Sequence, residues 1–242
     1  MKVACSSSAL HRAFESGDLT QLEFVDLSAR EWLCDGIVLD ERHFPRTDSD
    51  YLAQIKKMAA DCGLTVAALW AGDFFSADAE TMRATLDRAA AIGAPLLSGA
   101  LSPETDRTWS AQLERLSTAT SLAKSVNVTL AVRNAPGTYA ASSQECKRVL
   151  KETDSAWLRL GPEPQSFAIA SDPETAMAQT VLLWSSIGSQ TERSIDETLA
   201  TFAAFRGHVV LDEASGDART ADIGGAVRAW KLAFAAKELN RT

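Results

Sequence analysis

The chain of 242 residues predicts a single-domain (β/α)8 TIM barrel. Three observations carry that prediction. Short apolar runs recur eight times at a spacing of about 30 residues, the length of a βα unit. The stretches between them carry helical stripes. No linker, low-complexity tract or break in composition divides residues 1–242, so one domain is expected over the whole length.

The runs are Lys2–Cys5, Gly36–Leu39, Leu64–Leu69, Pro95–Leu97, Val128–Val132, Ala156–Leu160, Val181–Trp184 and His208–Leu211. They lack clean polar alternation, as strands covered on both faces do. An open doubly wound sheet is the rival architecture. It usually shows a glycine-rich phosphate loop after its first strand. Here Ser6, Ser7, Ser8, Ala9, Leu10 and His11 follow the first run, and the first glycine is Gly17, so a nucleotide cofactor has no support and none is expected.

Helices are expected between the runs. Thr47 and Asp48 precede a stripe of Tyr51, Leu52, Ile55, Met58, Ala59 and Cys62, stopped by Gly63. Asp78 opens a second stripe of Met82, Leu86, Ala89 and Ala90, stopped by Gly93 and Pro95. A longer helix is expected from Asp106 to Ser125. Ser142 or Ser143 caps another running through Val149 and Leu150, and Asp172-Pro173-Glu174 has the form of a cap with proline in the first turn. Ile195, Leu199, Phe202 and Phe205 form the next stripe, and Val227, Trp230 and Phe234 mark the last helix.

Composition narrows the functional classes. Hydrophobic residues make up 46% of the chain, enough for a sizeable core, and the net charge of −8 disfavours nonspecific nucleic-acid binding. No stretch of about 18 apolar residues occurs, so no membrane partner is expected. Cys5, Cys34, Cys62 and Cys146 are far apart and form no Cys-x-x-Cys pair, which reads as free thiols in a reducing, cytoplasmic setting.

In a (β/α)8 barrel chemistry sits at the strand C-termini. The polar residues there are Asp40 to His43, Trp70 and Asp73, Arg133 and Asn134, Glu163 and Gln165, Trp184 to Ser186 with Gln190, and Asp212 and Glu213. At these positions the chain resembles the xylose-isomerase-like barrel superfamily, which includes sugar-phosphate isomerases and epimerases and endonuclease IV. The likeness is carried by Cys34-Asp-Gly-Ile-Val-Leu39, Ile55-Lys-Lys-Met-Ala-Ala-Asp-Cys-Gly-Leu64 and Leu86-Asp-Arg-Ala-Ala-Ala-Ile-Gly-Ala94. Leu130-Ala-Val-Arg-Asn-Ala-Pro-Gly137 and Gly207-His-Val-Val-Leu-Asp212 extend it across nearly the whole chain.

The resemblance implies a divalent metal near the strand ends, held by carboxylates and histidine of strands five to eight. This chain departs from that pattern. Arg133 stands where the fifth strand's Glu would be and Ala135 where its His would be. Glu163 is the one acid in the segment Leu160–Gln165 that closes the sixth strand, the seventh ends Trp184-Ser185-Ser186, and the eighth keeps Asp212 and Glu213. A guanidinium has no lone pair to offer and stays charged. A unit charge 4 Å from a dication costs about 8 kcal/mol at an effective dielectric near 20. No metal of the family type is therefore expected.

The implied function is to bind a small sugar-like or hydroxy-keto compound without a metal, with isomerisation as the implied reaction. In that reading Arg133 stabilises developing negative charge, and Asp212 or Glu213 moves a proton between adjacent carbons. A salt bridge from Arg133 to Asp212 or Glu213 is the structural alternative. His43, Trp70, Asn134, Glu163 and Trp184 are candidate substrate-binding residues. Their ordinary roles are a loop histidine packed on Phe44, tryptophans packed under loops, and a Glu163 that faces solvent between Pro162 and Pro164. Trp109, Trp157 and Trp230 are assigned to packing. The competing function is a non-catalytic barrel that keeps a ligand pocket, as a sensor or partner-binding protein. A DNA-repair endonuclease is disfavoured, because it needs a metal cluster. The sequence leaves the oligomeric state open.

Overall fold

A computed structural model of the protein describes residues 1–164 and 178–239. Gln165 and the Asp172-Pro173-Glu174 cap lie outside the described residues. Eight strands form one sheet: β1 Lys2–Ser6, β2 Gly36–Asp40, β3 Thr65–Trp70, β4 Leu96–Ala100, β5 Thr129–Arg133, β6 Leu158–Leu160, β7 Leu182–Ser186 and β8 His208–Asp212. Their spatial order is β6-β5-β4-β3-β2-β1-β8-β7. This cyclic order, with a helix in every connection from β1 to β6 and from β7 to β8, is that of a (β/α)8 TIM barrel. The described helices are α1 His11–Ser16, α2 Gln21–Arg30, α3 Ser49–Asp61, α4 Ala79–Ala91, α5 Trp109–Val126, α6 Ser143–Thr153, α7 Glu192–Thr201 and α8 Thr220–Leu239.

Each helix start has a local cause. Asp48 and Asp78 accept the N–H groups of Tyr51 and Thr81, as N-caps should. Ser142 and Glu145 form a reciprocal capping box at α6. The helix expected from Asp106 begins instead at Trp109, because the Thr108 hydroxyl accepts from Ala111 N–H, and it ends with Asn127 at φ +58°. Gly63 and Gly93 lie just beyond α3 and α4 at φ +71° and +77°, values that favour glycine. The stripe of Ile195 to Phe205 holds a shorter helix than its length suggests, since α7 stops at Thr201.

Contacts divide the chain into two compact units, Met1–Ala67 with Trp184–Thr242, and Ala68–Leu183. In the first unit β1 lies between β2 and β8, with Ala4 opposite Gly36 and Val3 opposite Val209. A Cβ at Gly36 would lie 2.8 Å from Thr65 O, so the close approach of these backbones requires glycine. The core around these strands contains Val3, Ile37, Leu39, Val210, Phe24, Ile55 and Trp230. Lys231 of α8 donates to Leu33 O and Asp35, and Asp35 in turn accepts the Val3 N–H, which joins the last helix to the start of the sheet.

In the second unit Leu97 pairs with Leu130, Ala100 with Arg133 and Val132 with Leu160. Leu160 bridges Thr180 in parallel, just before β7. The core is Leu69, Phe75, Leu86, Leu97, Leu116, Leu130 and Leu158. The paired strands run parallel, so within each unit their C-terminal ends share one edge. In the first unit that edge gathers Ser6, Asp40 and Asp212; in the second, Trp70, Ala100, Arg133 and Leu160.

Phe24 is fully buried on α2 and meets Trp32 edge-on at 6.0 Å, whereas Thr20 caps the same helix from an exposed position. Phe24→Ala should cost about 3–5 kcal/mol and Thr20→Ala about 1 kcal/mol. Urea unfolding of the two variants checks this; equal losses would contradict the assignment of core and cap.

Candidate functional site

At the strand ends of the second unit, β5 carries Arg133 and the loop after β6 carries Glu163. Arg133 Nη2 lies 3.2 Å from Glu163 Oε2. The guanidinium carbon sits 5.3 Å from the centre of the Trp70 ring at the end of β3, a cation–π distance. Buried Asn134 accepts the Glu163 N–H at 2.7 Å on its Oδ1. The arrangement brings Arg133, Trp70, Asn134 and Glu163 together, four of the residues singled out in the sequence. Their side chains are mostly covered, with 15% of Arg133 and 19% of Glu163 exposed. Glu163 therefore does not simply face solvent: Pro162 and Pro164 stiffen its loop, Asn134 holds its backbone, and its carboxylate turns to the Arg133 cation.

The first unit holds the remaining candidates. Asp212 is buried at the end of β8, where its Oδ1 accepts a 2.8 Å bond from the Ser8 hydroxyl. Ser8 is itself 2.5 Å from Ser6 Oγ. Glu213 accepts the Gly188 N–H at 2.8 Å. Trp184 is completely buried, so its ring is part of the core and offers no open stacking face. Trp230 is buried as well, but Trp109 is only half covered, donating to Glu152 with Arg148 over its ring.

His43 is also buried. Its ring stacks on Phe14 at 4.1 Å with a 5° interplanar angle. Nδ1 lies 3.0 Å from Ser7 Oγ and Nε2 lies 2.9 Å from His11 Nδ1, so both ring nitrogens are engaged. Burial pushes the His43 pKa down to about 4, more than the Asp40 carboxylate raises it. Asp40, with no exposed side-chain surface, is itself paired with Arg42 at 2.6 Å. The sequence reading missed Ser6, Ser7, Ser8 and His11 as a polar cluster. Three consecutive serines at a strand end were the available signal.

The donor set does not fit a divalent metal. Among the described residues no group of three or more His, Cys, Asp or Glu side chains could hold an ion. The end of β5 presents a guanidinium, which cannot ligate, and the end of β7 presents Trp184, Ser185 and Ser186.

The xylose isomerase-like TIM barrel family model matches residues 27–189, more than half of the chain. The chain belongs to this family. No curated protein sequence matches it. Among solved structures, D-psicose 3-epimerase with D-tagatose from Clostridium cellulolyticum H10 is similar at TM-score 0.76 and 16% identity, over 96% of this chain and 98% of that one. The 3-keto-D-glucoside 4-epimerase YcjR from E. coli is similar at TM-score 0.63 and 13% identity, over 86% and 94% of the two chains. A xylose isomerase-like TIM barrel/4-hydroxyphenylpyruvate dioxygenase fusion protein matches at TM-score 0.74 and 13% identity; this chain is covered over 95% but spans only 42% of the fusion. At these identities the likeness is one of fold. No described helix is long and apolar enough to cross a membrane.

The depressed His43 pKa has a thermodynamic consequence. The unfolded chain takes up this proton near pH 6.5, whereas folded His43 does so near 4. Stability from His43 is therefore complete above about pH 6.5 and is lost as pH falls toward 4. Urea midpoints measured between pH 7 and 4.5 should fall, with a smaller fall in His43→Gln. An unchanged pH slope in that variant would remove His43 as the cause.

Proposed function

We propose that the protein binds a small sugar-like or hydroxy-keto compound at the strand C-termini and isomerises or epimerises it without a metal. The cluster of Arg133 with Trp70, Asn134 and Glu163 carries this reading, because it places a fixed cation at a strand end of a sugar-isomerase-like fold. Both named epimerases of similar fold act on keto sugars, which makes that ligand class the first to test.

The step is a proton transfer next to a carbonyl. A carboxylate removes the proton from the carbon beside C=O, and the electron pair moves to the carbonyl oxygen. Arg133 stabilises the resulting enediolate by charge and hydrogen bonding. Return of the proton to the other face or to the neighbouring carbon completes epimerisation or isomerisation. The carboxylate proposed for this work is Glu163, in contact with Arg133. Asp212, oriented by Ser8, and Glu213 are the carboxylates of the first unit's strand ends. Trp70 offers an aromatic face to an apolar sugar surface, and Asn134 sets the Glu163 loop. We assign His43 and Trp184 no direct ligand contact in this scheme, since one has both ring nitrogens engaged and the other is buried. The free cysteines support a reducing, cytoplasmic setting.

A second reading has its own observation. Glu163 neutralises Arg133 at 3.2 Å, which suits a binding protein that presents a polar pair and performs no chemistry. The test incubates the chelator-treated protein in D2O with D-tagatose and related ketohexoses. Deuterium should enter the sugar beside its carbonyl, and Arg133→Ala should slow this by about 10²-fold, the size of a lost oxyanion donor. Saturable binding without exchange supports the sensor reading. No binding of any ketose overturns both.

A further inference from the structure

His11, which opens α1, and His43, three residues beyond β2, form with Ser7 a hydrogen-bonded chain that the proposed sugar chemistry does not use. Ser7 Oγ lies 3.0 Å from His43 Nδ1, and His43 Nε2 lies 2.9 Å from His11 Nδ1. His11 Nε2 lies 3.2 Å from Glu15 Oε1, one turn along α1. Ser7 Oγ also accepts the Asp40 N–H at 2.8 Å. One end is sealed, since Ser7 is fully buried; the other is open, since 65% of the Glu15 side chain is exposed. His11, Glu15 and His43 line an open pocket of about 520 Å³ with Phe14, Gln21 and Arg42, so protons from solvent reach this end.

Hydrogen-bond accounting fixes the direction of the chain. A carboxylate oxygen 3.2 Å away repels a bare imidazole lone pair, so the His11 nitrogen facing Glu15 carries the hydrogen. Neutral His11 then has a bare Nδ1, which accepts from His43 Nε2–H. His43 has a bare Nδ1 in turn and accepts from the Ser7 hydroxyl. Ser7 thus donates to His43 while accepting from Asp40. One added proton changes every link. Protonated His11 has N–H on both nitrogens, so the His43 nitrogen facing it becomes an acceptor. His43 must then carry its hydrogen on Nδ1 and donate to Ser7. Ser7 Oγ now accepts two hydrogen bonds, and its own proton turns to another acceptor.

We propose that Ser7, His43, His11 and Glu15 form a proton-linked switch in which uptake of one proton by the histidine pair reverses the His43 tautomer and converts Ser7 from donor to double acceptor at the end of β1. Two histidines joined at 2.9 Å do not both charge between pH 8 and 5, where His43 stays neutral. The charge resides on His11, which faces Glu15, because His43 is more deeply buried and is flanked by the Arg42 cation as well as the Asp40 carboxylate. Arg12, next to His11 in sequence, pairs with Asp217 at 3.1 Å. The switch couples external pH to the segment that carries Ser7 and to the backbone of Asp40, without any ligand.

Imidazole nitrogen shifts of 15N-labelled protein read the tautomers directly across pH 8 to 5. At pH 8 both histidines should be Nε2–H tautomers. As pH falls the pair should take up a single proton, and His43 should change to Nδ1–H with the same midpoint as the charging of its partner. Glu15→Gln is at an exposed position and should fold normally. Because glutamine can also donate, the variant should show mixed tautomers at pH 8, and loss of the carboxylate should lower the pair's midpoint. Independent protonation of the two rings, a His43 tautomer that stays fixed through the titration, or unmixed Nε2–H tautomers and an unmoved midpoint in Glu15→Gln would each overturn the proposal.

Discussion

A fixed cation at the end of β5 sets the chemistry open to this protein. The Arg133 guanidinium is held on one side by Glu163 and on another by the Trp70 ring, and its surroundings leave it little exposed. Arginine cannot lose its charge to suit a ligand, and it cannot coordinate a metal. Whatever meets this strand end must bring an oxygen that carries, or develops, negative charge. A keto sugar passing through an enediolate meets that condition, and so does a ligand that is bound and released unchanged.

The fold was legible because its signals are local and repeated. Apolar runs separated by capped helical stripes fix the number and order of the units, and Asp48, Asp78 and Ser142 cap helices where the sequence places them. Less legible was the stretch between the first two strands. Thr20 and Glu23 form a capping box there, but α1 is only six residues long and buries none of them, so it leaves no apolar stripe. Trp109 shows the other limit: its helical position suits a core residue, yet its partners Glu152 and Arg148 lie on α6 and hold it near the surface.

The site was legible by residue but not by partner. Arg133, Trp70, Asn134 and Glu163 could be found because they close strand runs or follow them. That Glu163 turns to Arg133 depends on a hydrogen bond from its own N–H to Asn134, a contact across 29 positions that no spacing reveals. His43 illustrates the same point. Its neighbour in sequence is Phe44, but α1 brings Phe14 and His11 to the ring, and those contacts decide which protons it can carry.

The most direct measurement follows the guanidinium 15N and 1H resonances of Arg133, assigned by their loss in Arg133→Lys, while D-tagatose is titrated into the labelled protein. Saturable shifts of these resonances, at the concentration where the sugar binds, are the predicted result. Sugar binding that leaves them unmoved would contradict the role given to this cation.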